Sequence, residues 1–520
     1  MHKPSNLLLA LLVATAALLC TPLAAQPSPT KEWLTSSPEE QGMSSDRLAR
    51  LVEFGGFQNM DSLLVTRHGR IVLEATYAPF RDGLKHRVYS VTKSVVGTLI
   101  ALALRDGKLD SLDRRVVDFF PERTIANLDE RKKAMTIRHL LDMTSGLEWT
   151  EGLNGSFESY IAMERSGDWQ QYILDRPMTA SPGTIFYYNS GNSHLLSAIL
   201  TKVTGKSALD YARETLFGPL GIEHVTWRAD PQGISRGGSD LYLRPRDLAK
   251  IGTLYLRGGV WEGRQILPAS WIEDVRQANV DMREGWSDEF RYGRQFWVMP
   301  GRDAFMGVGY HRQLMIVMPK RDIVAVVTSS ARFSGAGSAT LPRYRLETLM
   351  GYLEAAVAGD SPLAADPTAA AELAQRVNEA TIERPAPANE SPAVAKAVSG
   401  KTWRFDANPA RVKSITFQFD GPVASYEYEL EGGPASAPVG RFGGPIGLDG
   451  RYRFGGRMPF GQGAARGTWL PDGVRFVLEA QTLGNDDAVR ATHKFADRTV
   501  EVSIETAGGF ATTLQGRTDD

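Results

Sequence analysis

The chain has 520 residues, of which 42% are hydrophobic and 23% charged, with a formal net charge of -1 and one cysteine. That length exceeds a single ordinary core, so two folded units are expected, and the composition is that of a globular protein. A near-neutral balance with no long Lys/Arg run argues against charge-driven binding to nucleic acid or to an anionic membrane surface.

Residues 1–25 read as a secretory signal peptide: Lys3 gives a positive start, Leu7 to Leu19 an apolar run, and Pro22-Leu23-Ala24-Ala25 a small-residue cleavage end. The run is short for a membrane span, and no later stretch is long and apolar enough to make one. Export to the periplasm or the medium is therefore expected. Cleavage would remove Cys20, leaving no thiol for a disulfide, a sulfur-ligated zinc or a cysteine nucleophile.

Residues 26–357 read as one mixed unit. Ser62 to Arg67 and Ile71 to Glu74 form two short strands around a His68-Gly69-Arg70 turn. Val91 to Leu104 is apolar nearly all round, which predicts a buried helix that ends at Gly107. Helical patterns and polar loops fill the stretch from Arg114 to about Arg228. Strands return at Phe296–Met299, Gln313–Met318 and Ile323–Thr328, and a helix from Arg343 to Val357 closes the unit. Strands at both ends with helices between them predict an α+β fold: one antiparallel sheet, flanking helices and an inserted helical subdomain. Residues 358–398 are Ala- and Pro-rich and read as a linker with one helix, Ala369 to Ala380. Residues 399–520 alternate in short segments separated by Asp-Gly and Gly-Gly turns, the pattern of an all-β domain, a small barrel or sandwich.

The strongest chemical signal is Ser90-Val91-Thr92-Lys93 at the entry to the buried helix. Positions three apart share a helix face, so the Lys93 amine can approach the Ser90 hydroxyl. Burial lowers a lysine pKa, the condition for an amine that accepts a serine proton. The plain alternative is an N-cap serine with a surface lysine. A second segment, Pro182 to Ser190, carries Tyr188 and Ser190, a phenol and a hydroxyl that a loop can bring near Ser90; an adjacent ammonium would favour phenolate. A third, Gly307-Val308-Gly309-Tyr310-His311-Arg312-Gln313, leads into a strand; its glycines permit close backbone approach, and an N–H near residue 310 can face an oxyanion.

In order and spacing, these three segments resemble the active-site elements of serine β-lactamases and penicillin-binding proteins. Residues 33–357 resemble the class C β-lactamase-related hydrolases, among them esterases, D-amino-acid peptidases and 6-aminohexanoate-oligomer hydrolases. Thr136 to Leu147 and Pro245 to Gly252 look like further segments of that family. The resemblance implies Ser90 as nucleophile, Lys93 as its base, Tyr188 as the partner acid/base, and the N–H groups of Ser90 and Tyr310 as the oxyanion hole. Ser190, Gly309 and His311 would then contact substrate. Neither a cofactor nor a metal is implied, and the eight histidines lack paired ligand spacing.

Two departures narrow the implied substrate. The second motif reads Tyr188-Asn189-Ser190 where Tyr-x-Asn is usual, as in the aminohexanoate-oligomer branch; a frame on Tyr187 would restore Tyr-x-Asn, but Tyr188 keeps the family spacing to Leu195-Leu196. The third motif opens on Gly307 where Lys or His is usual, which favours an ester or linear amide over a β-lactam or cell-wall peptide unless His311 or Arg312 compensates. A β-lactamase or D,D-peptidase, and a catalytically silent ligand-binding homologue, are the alternatives. Gly233-Ile234-Ser235-Arg236-Gly237 matches a nucleophile elbow but follows a polar turn, and Ser399-Gly400-Lys401-Thr402 lacks a phosphate loop's first glycine. Trp149, Trp169, Trp286 and Trp297 are read as packing residues, and His139 as a satisfied, partly buried one.

Overall fold

The computed structural model describes residues 29–152, 156–278, 280–282, 288–333, 344–420, 423–432, 439–459, 461–485 and 488–519. The signal segment read at residues 1–25 and Trp286 lie outside them. Among the described residues no helix is long and apolar enough to cross a membrane.

The first unit is built on an eight-stranded sheet. Its order is Arg70–Thr76, Met60–Arg67, Ile323–Ser329, Gln313–Met318, Ala304–Gly309, Phe296–Met299, Arg291–Gly293 and Val280–Asp281, with every neighbour antiparallel. Successive strand side chains point to opposite faces, and here both faces are covered. Leu63, Val65, Ala325 and Val327 pack with Leu48 and Leu51 of the Ser45–Phe57 helix and Leu349 and Leu353 of the Leu346–Ala356 helix. Their alternates Leu64, Val324 and Val326 pack with the Val91–Arg105 and Pro245–Leu256 helices. The adjacent strands Met60–Arg67 and Ile323–Ser329 are each buried along their whole length, as this double burial requires. The helical subdomain, including Ile137–Leu141 and Ser190–Thr204, packs on the same side as Val91–Arg105.

The glycine segment expected only to lead into a strand is itself a strand, Ala304–Gly309, joined to Gln313–Met318 by one turn at Tyr310–Arg312. Phe296–Met299 pairs with it only as far as Met306, so Gly307 to Gly309 project past that neighbour.

The C-terminal unit is a closed barrel of ten strands, from Thr402–Phe405 to Ala511–Arg517, antiparallel between neighbours with one added parallel pair, Gly447↔Arg466, and sealed by the pairs Arg404↔Arg517 and Phe405↔Gly516. Between the units, Pro367–Ala380 is a helix that buries Leu373 in the core shared with Ser45–Phe57, and Ala393–Val398 is a second helix whose Ala395 and Val398 join the barrel core. The units touch directly. The Arg87 N–H donates to the Gly484 carbonyl at 2.7 Å, Gln481 Nε2 to Ser330 Oγ at 3.1 Å, and Leu483 packs with Phe80.

Candidate active site

The Val91–Arg105 helix is buried from Val91 to Ala103, Lys93 included. Ser90 precedes it in a helical conformation, but its side chain makes no capping hydrogen bond; the plain N-cap reading leaves that hydroxyl unexplained. Instead Lys93 Nζ donates to Ser90 Oγ at 2.8 Å and to the Gly238 carbonyl at 2.8 Å. Lys93 is 1% exposed. Burial pushes its ammonium down from 10.5 to about 8, with the Glu151 carboxylate acting in the opposite sense. About a tenth of the amine is therefore neutral at pH 7.

Tyr188 completes the cluster. Its hydroxyl hydrogen-bonds with Ser90, and Lys93 Nζ lies 4.8 Å from the centre of its ring. Burial, then the Glu151 charge, push this phenol above its ordinary range, against the Ser90 hydrogen bond. The expectation of a phenolate favoured by an adjacent ammonium is thus corrected: burial dominates and Tyr188 is a neutral phenol. Tyr187 points out and is 43% exposed.

No sequence motif marks Glu151, which the fold places beside this cluster. It is buried, accepts from Trp149 Nε1 at 2.7 Å and from the Ser190 N–H at 2.8 Å, and takes the Ser190 hydroxyl as well. The only sequence cue was its position just beyond the Thr136–Leu147 segment. Because its charge raises the Lys93 pKa, Glu151→Gln should lower that pKa. The acid limb of the kcat/KM profile, expected near pH 8 in the parent, should move to lower pH; an unmoved or upward-shifted limb would contradict the coupling.

Tyr89, directly before Ser90, adopts a left-handed φ of 45°, a conformation that costs a bulky residue about 1–3 kcal/mol. Its ring lies under Arg87 at 4.3 Å, and its hydroxyl reaches Asn485 of the barrel at 3.4 Å. Arg87 also pairs with Asp240 at 2.9 Å. Burial alone would raise the Asp240 carboxyl; Arg87, Arg236 and Arg228 outweigh it and hold the group well below the usual carboxylate range. Facing this segment is the free stretch of strand. A Cβ on Gly309 would lie 2.4 Å from the Val88 carbonyl oxygen. Gly309→Ala should therefore force the strand and the Val88–Ser90 segment apart, lowering stability by about 1–3 kcal/mol together with turnover, as read by thermal melts and ester hydrolysis.

The beta-lactamase family profile matches residues 52–350, more than half of the chain; the match holds Ser90, Lys93, Glu151 and Tyr188 and none of the barrel. The chain belongs to the beta-lactamase family. It is 27% identical over 290 residues to the 6-aminohexanoate-dimer hydrolase of Paenarthrobacter ureafaciens, covering 52% of this chain and 72% of that one. It is 27% identical to the esterase EstB of Burkholderia gladioli over 31% of this chain and 44% of the esterase. A putative 6-aminohexanoate-dimer hydrolase from Bacillus anthracis shares the fold, with TM-score 0.52 and 22% identity, over 64% of this chain and 89% of that structure. The protein is accordingly a serine hydrolase of this family.

Ser190 and His311 lie differently in this beta-lactamase family member from what the resemblance implied. Ser190, expected to contact substrate, is buried with its hydroxyl given to Glu151. His311 is buried at φ 55° and stacked on Tyr310 at 4.0 Å; burial pushes its imidazole down to about 4, so it is neutral. The Arg312 Nε donates to the Tyr344 carbonyl at 3.1 Å, and its guanidinium lies 5.7 Å from the centre of the Tyr344 ring. Neither replaces the cation missing at Gly307, where a Cβ would lie 2.9 Å from Val91. Tyr310 is exposed at the rim beside Phe157, their rings 5.6 Å apart. Ser235 of the elbow-like segment is buried, with its carbonyl accepting from Ser197 Oγ. Ser399 caps the barrel by accepting from the Phe419 N–H. Trp149, Trp169 and Trp297 are core residues, and His139 closes a capping box with Thr136. Among the described residues no cluster of three or more His, Cys, Asp or Glu could hold a metal.

Proposed function

We propose that this serine hydrolase is exported and cleaves a linear ester or amide through an acyl-enzyme on Ser90. The observation that carries the reading is the 2.8 Å contact between Ser90 Oγ and a buried, partly neutral Lys93. Lys93 takes the Ser90 proton as Oγ attacks the carbonyl carbon. The N–H groups of Ser90 and Tyr310 hold the resulting oxyanion. The neutral Tyr188 phenol protonates the departing alcohol or amine and regains a proton from Lys93; water then attacks the ester, with Lys93 again as base.

The choice of a linear substrate rests on the uncharged strand opening at Gly307, on a neutral His311 and on an Arg312 turned toward Tyr344. The relatives named as an aminohexanoate-dimer hydrolase and an esterase support it. A fluorophosphonate should label the protein at Ser90, and a short-chain nitrophenyl ester should be turned over far faster than a chromogenic cephalosporin. Absence of labelling would favour a silent binding homologue; a cephalosporin rate matching the ester would favour a β-lactamase.

A further inference from the structure

The C-terminal barrel is wider than its side chains fill. A closed barrel of about eight strands is just filled by side chains or holds one small ligand; this one has ten. One half of the interior is plugged. Trp403 and Phe495 lie 5.0 Å apart, Trp469 and Phe476 5.1 Å, and Phe417 and Phe476 5.6 Å. Helix Ala393–Val398 packs onto the same aromatic core.

Toward the other end the inward positions become small. Where Phe476 faces His493 across one strand pair, the next inward levels are Leu478 with Ala491 and Ala480 with Val489. A cavity of about 290 Å³ remains, lined among others by Tyr426, Met458, Ala480, Ala491, Ile504 and Leu514. That is roughly twice the ~150 Å³ of an apolar cavity that takes one benzene. Among the described residues that line it there is no Asp, Glu, Lys or Arg. Among its polar groups the Tyr426 hydroxyl contacts Met458 Sδ at 3.4 Å and His493 Nδ1 lies 3.4 Å from the Phe476 carbonyl, while His493 Nε2 is buried without a hydrogen-bond partner. Water needs two to four polar partners to settle in a cavity, and this lining is predominantly hydrocarbon and aromatic ring.

The cup ends at a rim carrying Leu430, Pro459 and Phe510, the last 41% exposed. The turn at Leu483–Asn485, at the same end of the barrel, touches Phe80, Arg87 and Tyr89 of the catalytic unit, and Ala507 packs with Ala331 and Phe333.

We propose that this cup binds one uncharged apolar chain or ring, either the tail of a hydrolysed ester or a separate lipid-like molecule. The proposal stands apart from the acyl-enzyme reading, since nothing in the cup depends on Ser90. The full-length protein would be titrated with N-phenyl-1-naphthylamine, an uncharged probe that brightens in apolar surroundings, and then challenged with 1-decanol. Saturable one-to-one binding, displaced by decanol and retained in Ser90→Ala, is expected. Ala491→Phe, Ala480→Leu and the milder Ala480→Val fill the cup and should weaken probe binding, by tenfold or more for the larger two, in chains that still melt cooperatively. Nitrophenyl acetate and decanoate, assayed with these variants, separate the two sources. A substrate tail predicts a raised KM for decanoate alone, and a separate molecule predicts unchanged KM for both. No saturable binding by the parent, or equal affinity in folded cup-filled variants, would overturn the proposal.

Discussion

Ser90→Ala is expected to lower hydrolysis by about 10⁴-fold or more while leaving the thermal melt within a degree or two of the parent. The hydroxyl caps no helix, and its partners are the Lys93 amine and the Tyr188 phenol. In the proposed mechanism its removal takes away the atom that forms the ester while sparing the helix N-terminus. A variant with more than a few per cent of parental turnover, measured on a nitrophenyl ester after active-site titration, would exclude Ser90 as nucleophile. The same variant should lose fluorophosphonate labelling in parallel; loss of only one signal would point to a second reactive residue.

Lys93→Met should abolish turnover as thoroughly and, unlike most core replacements, raise stability. The depressed lysine pKa, from 10.5 to about 8, corresponds to ~3 kcal/mol withheld from folding at neutral pH. Losing the bond to the Gly238 carbonyl returns about 1–2 kcal/mol of that, so a net gain of about 1–2 kcal/mol is expected. The sign with pH follows from the two protonation states. Between pH 8 and 10.5 the unfolded chain binds the proton and the folded one does not, so parental stability rises with pH across that window. The advantage of the methionine variant is therefore largest at or below pH 8 and fades by pH 10.5. Denaturant unfolding at pH 7 and pH 10 reads this directly; a variant less stable than the parent at pH 7 would mean that the amine is well accommodated and not poised as a base.

The parts of this molecule that showed in the sequence are those whose physics is local. Thirteen consecutive residues from Val91 are buried because only Thr92, Lys93, Ser94 and Thr98 interrupt an apolar surface, and such a helix has one place to go. The central strands follow from the same argument. Ala304–Gly309 was less visible because two of its six residues are glycine, which disfavours strands in isolation; its conformation is set by the neighbouring strand and by the close approach of Gly309 to Val88. Glu151 had no periodic or spaced signature, since its role comes from Ser190, 39 positions away. Barrel and sandwich could not be separated because closure depends on Phe405 meeting Gly516, a pairing of first and last strands that no local pattern encodes. The stretch read as a linker did carry a start signal at Asp366 and Pro367, where the Asp366 side chain accepts from the Ala369 N–H, two residues ahead of the predicted helix.

The bond from Arg87 to the Gly484 carbonyl and the contact of Tyr89 with Asn485 make the C-terminal module part of the scaffold around Ser90. An engineer wishing to exchange that module for another would need the replacement to present one peptide oxygen and one amide side chain at the same two points. A graft joined only by matching the connecting helices would leave the backbone bend ahead of Ser90 without its outer brace.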